Sequence, residues 1–169
     1  MRLLMVCLGN ICRSPLAEGA LRARLDAAGL DWVRVDSAGT GGWHTGDPPD
    51  RRSIAIAAQA GVDIRQQRAR MLAADDYHAF DWLLCADRRV LREVRGRAPQ
   101  DAAARSALLL DWAQTGGDAP GTGAEVPDPY TGGPREFAEV WAMVDAAAAR
   151  IVARIAAGDV ERTPASGRG

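Results

Sequence analysis

Residues 3–14 constrain this chain more tightly than any other stretch. Leu3-Leu4-Met5-Val6 is an unbroken apolar run, short enough for a strand buried on both faces. It stops at Cys7-Leu8-Gly9-Asn10-Ile11-Cys12-Arg13-Ser14, and Ser14-Pro15 follows. That pair reads as a helix start, with serine as cap and proline in the first turn. The helix is expected to run through Leu16, Ala20, Leu21 and Leu25 to Gly29, a natural terminator. Between strand and helix lies a tight loop with a thiol at its beginning and a guanidinium near its end. Its backbone N–H groups, together with the positive end of the helix, make an anion site. The same field favours the thiolate, the nucleophilic form of cysteine, at Cys7. Arg13 can grip two oxygens of a phosphate with its planar fork. Gly9 lets the backbone turn and approach a ligand. Asn10 tolerates left-handed geometry and can brace the loop. Ser14 can donate its hydroxyl to the Cys7 sulfur. Leu8, Ile11 and Cys12 complete the expected phosphate-binding set. A Walker loop is excluded, because the Gly-Lys-Ser/Thr ending is missing.

The rest of the chain supplies a frame for such a loop. Val33-Arg34-Val35, Phe80–Ala86 and Ser106–Leu110 read as three further strands. An Ala-rich helix ends at Gly61 and another follows Asp87. Residues 41–50 and 111–133 are rich in Gly, Pro and Asp and read as loops, the second long enough to suggest function. Phe137, Val140, Trp141, Val144, Ala148, Ile151, Val152 and Ile155 recur at helical spacing and form one stripe, expected to pack on a sheet. Alternating strands and helices predict an α/β fold, a three-layer sandwich with a central four-stranded parallel sheet flanked by helices. Right-handed crossovers gather the loops after the strands at one edge, where ligands of such sheets bind. The phosphate-binding loop after the first strand falls there. Residues 1–157 are expected to form one domain, with 158–169 as a disordered tail.

Bulk properties narrow the function classes. At 169 residues the chain suits one domain with a real core. A formal net charge of −1 argues against a nucleic-acid or anionic-membrane surface. No apolar run approaches the roughly 20 residues of a spanning helix. The charged, apolar start is too short for a signal peptide and is soon broken by Gly9 and Asn10. Three cysteines make neither a disulfide framework nor a zinc knuckle. The expected setting is cytoplasmic, with no metal or cofactor, no nucleic acid and no membrane, as a monomer or weak dimer.

Cys-Leu-Gly-Asn-Ile-Cys-Arg-Ser-Pro followed by Ala17-Glu18 resembles the low-molecular-weight protein tyrosine phosphatases. The resemblance continues through Asp36-Ser37-Ala38-Gly39-Thr40, Trp43, Asp50 with Arg52, Arg68-Ala69-Arg70, Phe80–Asp87 and Val126-Pro127-Asp128-Pro129-Tyr130. It implies hydrolysis of phosphotyrosine in proteins, and of small aryl phosphates, through a phosphocysteine on Cys7. A tyrosyl oxygen departs poorly unless protonated, so a general acid is needed. The resemblance gives that role to Asp128, which then serves as base. It implies aromatic walls at Trp43 and Tyr130, and a bracing role for Ser37 toward Asn10. The expected partner is a tyrosine-phosphorylated protein, a bacterial tyrosine kinase among the candidates. Two positions depart from the pattern: Thr131 stands where many members have a second tyrosine, and Gln67 where many have a bracing histidine.

Alternatives remain at this point. Cys12 could capture an oxidised Cys7 as a disulfide, or be a buried small residue. Cys85 is expected to be inert, and His44 and His78 to be structural. An arsenate reductase would need further redox cysteines beyond Cys85. A phosphoarginine phosphatase would be expected to carry threonine at Ile11. A non-catalytic phosphate-binding module would be expected to lose the nucleophile or the acid.

Overall fold

The computed structural model describes residues 1–160. Four strands form one parallel sheet: β1 (Arg2–Cys7), β2 (Arg34–Gly39), β3 (Trp82–Cys85) and β4 (Arg105–Leu108). The helices are α1 (Arg13–Ala27), α2 (Arg51–Gln59), α3 (Asp76–Ala79), α4 (Arg88–Arg97), α5 (Leu109–Thr115) and α6 (Pro134–Ala157). Strand order is β2-β1-β3-β4. The chain leaves β1 in one direction to make β2, then returns to the other side of β1 for β3. The carboxyl end of β1 therefore lies at the switch point where parallel sheets open a crevice.

Side chains of β1 alternate between two covered faces, which is why its sequence shows no polar alternation. Leu3, Met5 and Cys7 join the larger core cluster with residues of α1, α2, α5 and α6. Leu4 and Val6 face the other side with Tyr77 of α3 and Val90 and Val94 of α4. Burying each such Leu or Val is worth about 1.5–3 kcal/mol. From Val140 onward the stripe of α6 lies in the larger cluster with Leu3, Met5 and Leu84 of the sheet, as its periodicity predicts; Trp141 and Val152 are partly buried, and Phe137 is buried outside that cluster. Trp82 and Trp112 meet in the same cluster, ring centroids 5.7 Å apart.

Three local expectations change. Ser14 does not cap α1: the cap position is Cys12, with no side-chain cap bond, and Ser14 lies inside the first turn. Its hydroxyl is engaged by the cysteine loop instead. The stretch after β4 is not all loop, because Leu109–Thr115 forms α5 before Gly116 ends it at φ 73°. Here Leu109, Trp112 and Ala113 bury a short apolar face that the surrounding glycines conceal in sequence. The second strand is also longer than its apolar core, extending through Asp36, Ser37 and Ala38 to Gly39. At the chain end, Gly158 closes α6 at φ 73° and Val160 packs on the larger core. Residues 161–169 of the expected tail lie outside the described residues.

Candidate active site

The cysteine loop is held from behind by its carbonyls. Those of Cys7, Leu8 and Ile11 accept from the amides of Thr40 (2.9 Å), Gly41 (2.8 Å) and Asp50 (2.8 Å). In a trans peptide the next N–H points the opposite way, so the amides of Leu8, Gly9 and Cys12 turn toward the concave side. Gly39 permits the close approach of β2 to the loop, since a Cβ there would sit 2.7 Å from the Leu8 carbonyl oxygen.

A side-chain relay fixes the polarity of this arrangement. Asn10, at φ 55° and buried, donates from Nδ2 to Ser14 Oγ (2.8 Å) and Ser37 Oγ (3.0 Å). Its Oδ1 accepts from the Arg70 amide at 3.0 Å. Ser37 donates to Glu18 Oε2 at 2.6 Å. While accepting from Asn10, the Ser14 hydroxyl can turn its proton toward Cys7 Sγ, 3.0 Å away. Burial pushes the Glu18 carboxyl above its usual range, while Ser37 and Arg22 pull it back in part. Gln67, at the position of the bracing histidine, donates instead to the Pro15 carbonyl in α1 at 3.1 Å.

Arg13 is 4% exposed and is neutralised on the spot. Its Nη1 donates to Asp87 Oδ2 (2.6 Å) and to the Val126 carbonyl (3.0 Å). Burial opposes its charge, but Cys7, Asp87 and Asp128 outweigh that and raise its pKa. Asp87 performs two tasks, one with each oxygen. Its Oδ1 accepts from Val90 N at 2.8 Å and caps α4, leaving Oδ2 for Arg13. Burial works against its ionisation too, yet the Val90 amide and the Arg13 guanidinium hold it below the ordinary carboxylate range.

Across from the cysteine, Val126 N donates to the Ala86 carbonyl at 2.8 Å, which starts the next loop at the end of β3. Asp128 Oδ2 then lies 3.8 Å from Arg13 Nη2, and its Oδ1 accepts from Tyr130 N at 3.1 Å. Cys7, Leu8, Gly9, Ile11, Cys12, Arg13, Trp43, His44, Asp128 and Tyr130 line one pocket of about 190 Å³. Trp43 and Tyr130 are its exposed rim, at 73% and 51%. The Trp43 ring packs against bare Gly41, where a Cβ would come 1.8 Å from Cζ3.

The structure thus brings most of the expected residues to one place, with two adjustments. The side chains of Asn10 and Ser14, expected in the phosphate-binding set, turn to the back of the loop, where Asn10 bonds Ser14 and Ser37 and Ser14 faces Cys7, and are not on the pocket wall. His44, expected to be structural, lies on that wall with Nδ1 3.3 Å from Asp47 Oδ2. Asp87 and Glu18 sat within quoted motifs, but their partners are remote in sequence, so their roles needed the fold. Cys7 and Cys12 are both free and share the pocket. Burial, then Asp50, Cys7 and Asp128, push the Cys12 thiol up to about 12. Cys85 is fully buried, and burial pushes its thiol up as well. Among the described residues no group of three or more His, Cys, Asp or Glu could hold a metal ion, and no helix is long and apolar enough to cross a membrane.

A strand–loop–helix anion cradle with cysteine at its floor, arginine in its wall and aspartate across its mouth defines a class of phosphate-handling sites. Within it, the chain belongs to the low molecular weight phosphotyrosine protein phosphatase family, whose family model matches residues 2–161. It is therefore a hydrolase of the protein tyrosine phosphatase kind. A low molecular weight protein-tyrosine-phosphatase of Streptomyces coelicolor is 41% identical over 158 residues, covering 91% of this chain and 93% of the relative. The crystal structure of a protein tyrosine phosphatase from Entamoeba histolytica superposes with a TM-score of 0.83 at 30% identity, covering 95% of this chain and 99% of that one. A Drosophila arginine phosphatase superposes with a TM-score of 0.82 at 26% identity, covering 92% and 98%.

Proposed function

We propose that the chain, through residues 1–157 as one catalytic domain, hydrolyses phosphotyrosine in proteins by way of a phosphocysteine. The observation that carries this reading is the convergence of Cys7, Arg13 and Asp128 on one pocket with inward-turned loop amides. Cys7 Sγ attacks phosphorus as thiolate, so that an S–P bond forms as the tyrosyl P–O bond breaks. Arg13 and the amides of Leu8, Gly9 and Cys12 hold the phosphoryl oxygens. Asp128 gives its proton to the departing tyrosyl oxygen, then takes one from the water that cleaves the S–P bond. The Ser14 hydroxyl, already aimed at Sγ, stabilises sulfur when it leaves.

Trp43 and Tyr130 form the rim against which the tyrosyl ring packs, and Ile11 gives the pocket an apolar wall. The substrate is a tyrosine-phosphorylated cytoplasmic protein, with a bacterial tyrosine kinase as one candidate, met by a monomer or weak dimer. Cys12 can also resolve a Cys7 oxidised by peroxide: its thiolate attacks the sulfenic sulfur, forming a disulfide and releasing water. Burial and the nearby Asp50 carboxylate, which raise its pKa, work against that capture.

The deciding experiment is Cys7→Ser, assayed with phosphotyrosine, phosphoserine and phosphoarginine alongside the wild type. Wild type should prefer phosphotyrosine, and the variant should lose turnover by at least about 10³-fold while still binding inorganic phosphate. Turnover that survives the substitution would refute the covalent route. A preference for phosphoarginine would move the substrate assignment and leave the mechanism in place.

A further inference from the structure

Asp50 and Arg52 take no part in the chemistry above, yet they join its two halves. Asp50 N donates to the Ile11 carbonyl of the cysteine loop at 2.8 Å. Its carboxylate caps α2 and grips Arg52 twice, Nε to Oδ1 at 3.0 Å and Nη2 to Oδ2 at 2.9 Å. From that seat Arg52 donates across to the loop carrying Asp128: Nη2 to the Tyr130 carbonyl at 3.0 Å and Nη1 to the Gly132 carbonyl at 3.1 Å. The guanidinium rests on the ring of Phe137, 4.4 Å from its centroid, and Phe137 is buried in the first turns of α6. One planar cation therefore touches α2, α6 and the loop between α5 and α6.

We infer that Arg52 is the positioning residue for the general acid, fixing the Asp128 loop at a set height above the cysteine loop. The inference rests on the reading of Asp128 as that acid. At its near end the acid loop is already anchored, by Val126 to Ala86 and to Arg13. Its far end, past Pro129, has a turn of its own, Gly132 N to the Pro129 carbonyl at 2.8 Å. The bonds that tie this turn to the cysteine loop run through Arg52 and Asp50. A proton transfer needs its heavy atoms within hydrogen-bond reach, so freedom at Tyr130 and Gly132 becomes misplacement at Asp128. Lysine could not substitute, because a single ammonium cannot serve a bidentate carboxylate and two carbonyls from one plane.

The test compares wild type, Arg52→Met, Asp128→Ala and the double variant on an aryl phosphate with a poor leaving group and one with a good leaving group. Arg52→Met should slow the poor leaving group by about 10- to 100-fold, slow the good one much less, and leave inhibition by inorganic phosphate within about twofold. The double variant should be no slower than Asp128→Ala alone. Amide exchange at Tyr130 and Gly132 should quicken in Arg52→Met. Equal slowing of both substrates, weakened phosphate inhibition, or losses that multiply in the double variant would overturn the inference. If Asp128→Ala itself shows no leaving-group dependence, the acid assignment falls. The exchange data then judge the tether alone, with unchanged protection refuting it and lost protection sustaining it. Should Arg52→Met fold poorly, Arg52→Lys carries the same readouts.

Discussion

Asn10 holds its backbone at φ 55°, a region that costs residues with a Cβ about 1–2 kcal/mol. Its side chain compensates with three hydrogen bonds, two given to hydroxyls and one received from Arg70. Two substitutions separate these effects. Asn10→Gly keeps the turn and loses the amide, whereas Asn10→Ala loses both. Each should slow turnover by releasing Ser14 from its orientation toward Cys7. Asn10→Ala should also unfold with about 1 kcal/mol less stability than Asn10→Gly, read from denaturant midpoints; equal midpoints would show that the backbone is not under strain. At this scale the sequence spoke clearly where chemistry is packed into adjacent residues. Cys7, Gly9, Asn10 and Arg13 belong to one loop, so their spacing alone suggested an anion site. Asp128 lay far away and was assigned only by resemblance, since an aspartate between prolines also reads as a turn. Asp87 is 74 positions from the arginine it neutralises, and His44 gained its place on the pocket wall from the fold of its loop.

Helix α1 shows why element boundaries were harder to read than element identity. Ser14-Pro15 is a sound start signal, but the sulfur competes for the same hydroxyl and the helix begins two residues earlier without a side-chain cap. Helix α5 was hidden for a different reason: seven residues carry too little periodicity to stand out from the glycines after them. Two helical glycines, Gly19 inside α1 and Gly96 in the last turn of α4, give a paired test of how packing overrides propensity. In α1, a Cβ on Gly19 would lie 2.5 Å from Ile64 Cγ2 and 3.3 Å from Val62 Cγ1. A β-branched methyl cannot swing aside, so overpacking of about 1–3 kcal/mol outweighs the roughly 1 kcal/mol of helix propensity gained. Gly96 in α4 has nothing within 4 Å of its Cβ direction. Gly19→Ala should therefore lower the thermal midpoint and Gly96→Ala raise it, by about 2–4 °C per kcal/mol in a chain of this size. The same sign for both would show that propensity, not packing, decides at these sites.

The molecule as a whole should respond to acid through a few carboxylates. Asp50 and Asp145 are held below the usual range by hydrogen bonds from Arg52 and Arg24, and Asp87 by the bonds that outweigh its burial. Each contributes stability that is present above the unfolded value of about 4 and lost as pH falls through the lower folded value. Glu18, raised by burial, has the opposite sign: its contribution is complete below about pH 4 and lost as pH rises through its folded value. Urea midpoints should therefore drop below about pH 4, and Glu18→Gln should remove part of the pH dependence just above it. A Glu18→Gln midpoint that does not fall below about pH 4 would contradict the first, and a Glu18→Gln profile identical to wild type would contradict the second. At this scale the sheet was legible because β1 is apolar on both faces, while the strand order was inferred only as a class. That order places the Cys7 sulfur at the end of an inner strand, in the larger core, while Trp43, His44 and Tyr130 project from loops around it. If Cys7 reacts as proposed, reaction and recognition are held by separate parts of the fold. On the proposed function, drift at these three loop positions would retune which partners are accepted without disturbing the frame that holds the cysteine loop, which leaves such a scaffold open to divergence.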